Sequence, residues 1–263
     1  MCGFVGFLNN FDSNFNNNKN IIKNMNNLIN YRGPDDEGYW NDDNHIIFIG
    51  HKRLSIVDLT PTGSQPMHSD NKQFTIVFNG EIYNHIEIRN LLTNSSNINF
   101  KGSSDTETLL EAFALWGIDD TLKKIKGMFS FAIWDNFNKI LYLARDRAGE
   151  KPLYYTEIKK GNLSSFVFGS ELKIFNDYNN FNKNINLEAV NYQQLYKYIP
   201  SPYSIYNNVY KLIPGSYLKN EFYGMKKTII KYWTYDKVIN SSKKKIINND
   251  NSVIQNKLKN TLT

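Results

Sequence analysis

Two hydrophobic rhythms alternate along the chain. From Gly3 to Leu8 the sequence is almost uninterruptedly apolar, as in a short strand buried on both faces. Ile21, Ile22, Met25, Leu28 and Ile29 then recur at helical spacing until Gly33-Pro34 stops the pattern. Ile46–Ile49, Arg53–Val57 and Phe74–Phe78 are rich in β-branched and aromatic residues and read as strands, separated by turn residues such as Pro61-Thr62-Gly63. Ser104-Asp105-Thr106-Glu107 has capping-box spacing, and Leu109, Leu110, Phe113 and Trp116 mark the apolar face of a helix that should end at Gly117. Phe129–Trp134 and Ile140–Ala144 flank Asp135–Lys139 as a hairpin, and Tyr154–Thr156 with Phe166–Gly169 looks like a second pair. Hairpins mixed with a few long helices predict an α+β fold of packed layers, not alternating βαβ units.

Composition supports a globular chain, with 41% hydrophobic and 14% aromatic residues, ample for a packed core. No run of about 18 apolar residues occurs, so no membrane partner is expected, and the first residues lack the basic start and apolar stretch of a signal peptide. The expected location is the cytoplasm. The net charge of +6 is spread as lysines among Asn and Ile, and the densest cluster, Lys243–Lys245, reads as a solvated linker or helix start. No nucleic-acid partner is expected from such scattered charge. Asn-rich stretches such as Asn14–Asn18 read as loops.

Cys2 is the only cysteine in the 263 residues, and it follows Met1 directly. Removal of Met1 would place a thiol and a free α-amine on one residue. The amine titrates at roughly 7.7–8.0 and a free thiol at about 8.5, so near neutral pH the amine can take the thiol proton. The same position also suits a small apolar residue opening a strand. Attack of a thiolate on a carboxamide needs an oxyanion hole. Asn79-Gly80 offers a side-chain amide and a backbone N–H, with Gly80 allowing close backbone approach or a positive φ; an ordinary Asn-Gly turn is the competing reading. A free amino-acid substrate would need an Arg fork and an acid. Arg53 can supply the first and Asp105 the second, although an acid in the first turn of a helix is favourable without any ligand, and Glu81 reads equally as a surface acid. His51, His68 and His85 lack metal-ligand spacing, no metal site is proposed, and no Gly-rich phosphate loop appears.

The ordered set Met1-Cys2-Gly3, Arg32-Gly33-Pro34-Asp35, Arg53-Leu54-Ser55-Ile56-Val57-Asp58, Asn79-Gly80-Glu81-Ile82-Tyr83-Asn84, Ser104-Asp105-Thr106-Glu107 and Arg145-Asp146-Arg147, followed by Gly149–Tyr155, resembles the glutamine-hydrolysing asparagine synthetase family. The resemblance runs from Cys2 to about Trp233 and implies the N-terminal nucleophile hydrolase fold, a four-layer αββα sandwich of two antiparallel sheets between helix layers. It further implies Cys2 as nucleophile, Asn79 and the Gly80 N–H as oxyanion hole, and Arg53 on the carboxylate of glutamine. Asp105 and Glu81 would engage its ammonium group, and Leu54, Ser55, Ile56 and Val57 would line the pocket. Arg32–Asp35 reads as a loop closing over glutamine or as a structural turn, and Tyr31 stands where the family commonly has His.

The division this implies is a glutaminase core at 2–176, an extension and linker at 177–235, and the start of a synthetase domain at 236–263. Val253, Ile254, Leu258 and Leu262 begin a weak helical pattern there, and an apolar face that stops at the last residue implies the front of a longer protein. The expected partners are glutamine as substrate and the chain's own C-terminal synthetase domain, and a homodimer is left open. No cofactor is expected in this portion. ATP and magnesium belong to the synthetase domain, whose SGGLDS-type loop is absent from these residues. The expected activity is the glutaminase half of asparagine synthase. A related amidotransferase with another acceptor, or a non-catalytic glutamine-binding module, are the alternatives.

Overall fold

The structure, a computed structural model, describes residues 1–9, 14–96, 98–161, 163–224 and 226–243 and scattered positions from 253 to 260. Its elements in chain order are β1 (Gly3–Leu8), α1 (Phe15–Asn27), β2 (Asp36–Asn41), β3 (Ile47–Arg53), β4 (Met67–His68), β5 (Phe74–Ile82), α2 (His85–Ser95) and α3 (Asp105–Lys124). They continue with β6 (Gly127–Asp135), β7 (Ile140–Arg145), β8 (Tyr154–Lys160), β9 (Leu163–Gly169), α4 (Leu187–Tyr196), β10 (Val209–Lys211), β11 (Ser216–Glu221), β12 (Lys226–Lys231) and α5 (Tyr235–Lys243). Residues 1–232 form one compact unit and 233–263 another, in which α5 is the one continuous element described.

The first unit holds two antiparallel six-stranded sheets, one in the order β10-β8-β9-β1-β3-β2 and the other β12-β11-β7-β6-β5-β4. Strand alternation explains how they stack. Phe4 and Leu8 of β1 and Ile47 and Ile49 of β3 meet Val77, Trp134 and Leu143 of the second sheet in one core. The intervening residues Val5, Phe7 and Phe48 pack instead against Ile21, Ile22 and Met25 of α1. On the far side, Ile76 and Phe78 of β5 pack against Leu92 of α2 and Leu109 and Phe113 of α3. Helix, sheet, sheet and helices are thus the layers of an α+β sandwich. A strand buried on both faces cannot alternate polar with apolar, which is why β1 reads as a continuous apolar run.

Local expectations fail where tertiary contacts override composition. Asn14 caps α1 by accepting from the Asn17 N–H at 3.1 Å, and Asn17 and Asn18 lie inside the helix, so this stretch is not a loop. The Ser104 cap is as expected, and the helix it opens ends at Gly117, whose φ of 72° breaks the helical path; a second helical segment then runs to Lys124, so that α3 is two segments joined across a kink. β3 ends at Arg53, and residues 54–57 are loop. Of the C-terminal features, Lys244, Lys245, Ile254, Leu258 and Leu262 lie outside the described residues.

Candidate active site

The same alternation that builds the core also builds a cavity at its end. Gly3 pairs with Lys52 across β1 and β3, so Cys2 follows Phe4's face and Arg53 follows that of Ile49 and His51. In β5, Asn79 and Glu81 follow the face of Val77. Cys2, Arg53, Asn79 and Glu81 therefore all extend the layer between the sheets. They line one cavity of about 100 Å³, with Leu54, Ser55, Ile56, Val57, Gly80 and Asp105 also in its wall. Every site residue expected from the sequence is brought to this place.

Cys2 is half-buried, and its Sγ accepts the Leu54 N–H at 3.3 Å while lying 3.5 Å from Leu54 O. Burial raises the thiol pKa, against the opposing pull of the Leu54 contact, the N-terminal charge and Arg53. The Cys2 carbonyl accepts from Arg32 Nε at 2.9 Å, and Arg32 is paired with Glu171 at 2.5 Å. Arg32 thereby anchors the start of β1, while Asp35 accepts the Ser55 N–H at 2.7 Å. Tyr31 is exposed, with Lys173 Nζ 3.8 Å from its ring centre.

Asn79 and Gly80 sit inside β5, opposite Ser130 and Phe129 of β6, not in a turn. Gly80 has no positive φ; a Cβ there would collide with Met128 O and the Phe129 backbone, so the glycine serves the close approach of β6. Along the open edge of β5 the N–H of Phe78 is taken by Gln65 Oε1 at 2.6 Å and that of Ile82 by Asp105 Oδ2 at 2.9 Å. Alternation turns the Gly80 N–H to the same edge, between those two, where it faces the cavity. The Asn79 side-chain amide nitrogen is buried and has no partner. Leaving such a donor unmade costs about 1–3 kcal/mol, which an oxygen in the cavity would offset.

Arg53 is buried, and its guanidinium donates to Thr60 O at 3.0 Å and to Asp58 O. Two of its five N–H groups are used this way, and the carbonyls curl residues 54–60 away from the strand direction. Ile56 and Val57 are left exposed at the mouth. Asp105 is buried at the start of α3, and burial is the main cause raising its pKa. Glu81 is half-buried.

Gln65, Asp58 and Lys151, which carry no functional signal of their own in the sequence, also line the cavity. Gln65 also donates to Thr106 Oγ1 at 3.2 Å, so one carboxamide ties β5 to the start of α3. No periodic signal marks it, because its partners are 13 and 41 residues away. Lys151 is buried with Nζ 3.0 Å from Met1 Sδ. Arg145 and Asp146 are scaffold: Arg145 donates to Lys151 O and Leu212 O, and Asp146 accepts N–H groups from Ala148 to Lys151. Among the described residues no cluster of three or more potential metal ligands occurs, and no helix is long and apolar enough to cross a membrane.

Residues 1–233 match the family model of the glutamine amidotransferase domain. The chain belongs to that family. This amidotransferase domain is 39% identical over 217 residues to asparagine synthetase [glutamine-hydrolyzing] 1 of Bacillus subtilis, covering 82% of this chain and 33% of the relative. It is 39% identical over 212 residues to the putative asparagine synthetase [glutamine-hydrolyzing] 2 of Methanocaldococcus jannaschii, covering 74% and 39%. The chain thus spans about a third of the length of these curated relatives. Among solved structures, glutamine phosphoribosylpyrophosphate amidotransferase from B. subtilis superposes with a TM-score of 0.62 over 89% of this chain and 50% of its own, at 18% identity. That likeness concerns the fold alone, the layered sandwich of two antiparallel sheets with helices outside them.

Proposed function

We propose that this domain hydrolyses glutamine to glutamate and ammonia, with Cys2 as nucleophile. The observation that carries the reading is the convergence of the chain's single thiol with two oxyanion donors, the buried Asn79 amide and the Gly80 N–H, in one cavity. Removal of Met1 frees the Cys2 α-amine, which takes the thiol proton. The thiolate attacks the side-chain carboxamide carbon, and the Asn79 and Gly80 donors hold the oxygen as it becomes negative. The amine returns the proton to the leaving nitrogen, the C–N bond breaks, and ammonia departs from a γ-glutamyl thioester. Water then attacks the thioester, releasing glutamate and restoring the thiol. Arg53 grips the α-carboxylate, Asp105 and Glu81 receive the α-ammonium, and Leu54, Ser55, Ile56 and Val57 wall the pocket.

The names of the relatives, asparagine synthetase [glutamine-hydrolyzing], support aspartate as final acceptor of the ammonia. In this reading the protein is cytoplasmic, and a synthetase domain beginning near residue 236 uses ATP and magnesium. Core residues 2–176 and the extension 177–235 then form the glutaminase part. A second acceptor class stays in play because amidase chry2 of Gibberella zeae is 37% identical over 148 residues, 56% of this chain and 21% of that protein.

The deciding experiment is intact mass before and after 6-diazo-5-oxo-norleucine, a glutamine-like alkylating agent, with peptide mapping. Loss of Met1 and one adduct on Cys2, together with glutamate release from glutamine, supports the assignment. A Cys2 left unlabelled in an active protein overturns it.

A further inference from the structure

Asp58 lies in the cavity wall but bears on no expected catalytic group. It is buried, and both of its carboxylate oxygens are used inside the protein. Oδ1 accepts from the Thr60 N–H at 2.8 Å and the Thr60 hydroxyl at 2.6 Å. Oδ2 accepts from the Thr62 hydroxyl and the Ser103 N–H, each at 3.0 Å. Its own carbonyl receives the Arg53 guanidinium, as does the carbonyl of Thr60. Burial opposes its ionisation, yet the bonds from Thr60, Ser103 and Thr62 outweigh burial and hold the carboxyl well below the usual range.

Two segments far apart in sequence are joined through this one residue, whose main-chain carbonyl takes Arg53 and whose carboxylate takes Ser103. On one side hangs Arg53, at the end of β3. On the other hangs Ser103, one residue before the Ser104 cap of α3 and two before Asp105. The joint is close-packed: a Cβ at Gly102 would strike Thr62 Oγ1 and Asp58 Oδ2, and one at Gly63 would strike the Arg53 guanidinium. Arg53 and Asp105 are the groups that our functional reading places on the α-carboxylate and α-ammonium. Both of those charges sit on one carbon of the substrate.

We infer that Asp58 is a positioning residue that sets the spacing of the Arg53 and Asp105 grips, and so holds the α-carbon end of an amino acid at the distance from Cys2 that suits glutamine. This rests on the proposed glutaminase function. An amino acid one methylene shorter, asparagine, gripped at the same place, falls short of the thiol. A looser joint admits it and binds glutamine more weakly, while leaving the thiol's own reactivity alone.

The test compares Asp58→Asn and the milder Thr62→Val with the unaltered chain. Cys2 is labelled with 6-diazo-5-oxo-norleucine, which carries the amino-acid head, and with iodoacetamide, which does not. The expected result is a fall of about tenfold in the first rate relative to the second for Asp58→Asn, equivalent to about 1.4 kcal/mol of recognition, and about threefold for Thr62→Val. The KM for glutamine rises in the same proportion, and the preference for glutamine over asparagine narrows. Equal loss of both labelling rates, or an unchanged ratio in both variants, overturns the inference. If Asp58→Asn does not fold, Thr62→Val decides alone by the same ratio. Failure of the unaltered chain to be labelled by the glutamine analogue would instead overturn the glutaminase reading itself.

Discussion

The backbone N–H of Leu54 points at the sulfur of Cys2 across 3.3 Å. Leu54 follows the last residue of β3 and Cys2 precedes the first of β1, so the pairing that aligns Gly3 with Lys52 also delivers this donor to the thiol. An N–H aimed at sulfur favours thiolate, while burial disfavours it, and burial is the larger influence.

The balance sets the pH dependence of labelling. With Met1 in place, the iodoacetamide rate at Cys2 should reach half its maximum above the ordinary thiol value of about 8.5, because burial destabilises the anion. Rates measured from pH 6 to 10 give the midpoint; one at or below 8.5 contradicts the prediction.

Asn79→Ala removes the buried, unpartnered amide from the proposed oxyanion hole. Expected is a fall of about 10²–10³ in kcat for glutamine hydrolysis, with KM nearly unchanged, since the donor acts on charge that develops only in the transition state. Steady-state glutamate release measures it. A rise in KM without loss of kcat would move Asn79 to ground-state binding.

His51 is fully buried between the sheets, with Nε2 3.1 Å from Phe78 O. A carbonyl only accepts, so Nε2 carries the proton in the neutral ring. Burial lowers its pKa from 6.5 to about 4, against the opposing effect of that bond. Between those values the unfolded chain binds the proton and the folded one does not, so stability falls as pH drops from 6.5 toward 4. The loss approaches about 3 kcal/mol. Urea unfolding across this window should show a shallower slope for His51→Gln; an equal slope would remove His51 from the acid sensitivity.

Gly80→Ala should destabilise the fold by about 1–3 kcal/mol, because the new methyl group meets the Met128 carbonyl and the Phe129 backbone. Thermal unfolding reads this. A stability equal to the unaltered chain would mean that β6 yields at no cost.

Much of this molecule was legible along the chain because it is local. The Ser104 cap acts on Glu107, three residues on, and the pairing of β6 with β7 closes over a short loop, so both were visible as spacing. Asn79-Gly80 misled as a turn signal. Its neighbours are those of a strand, and only the partner β6, some fifty residues on, fixes it in one. Arg53–Val57 misled in the other direction: its apolar residues suit a strand, but the Asp58 and Thr60 carbonyls capture Arg53 and bend the chain.

Local spacing was enough for the alternation of faces, the capped start of α3, and a set of motifs specific enough to name the family and the residues of one cavity. Tertiary structure alone decided what those faces meet. Cys2 finds Leu54 52 residues away and Asp105 finds Ile82 23 residues away. The Asp58 joint spans 45 residues to Ser103. Such partners are chosen by which strands pair and in which register, and a one-residue slip would send each side chain to the opposite face. Periodicity states that a side chain points inward; pairing between distant segments states what it points at.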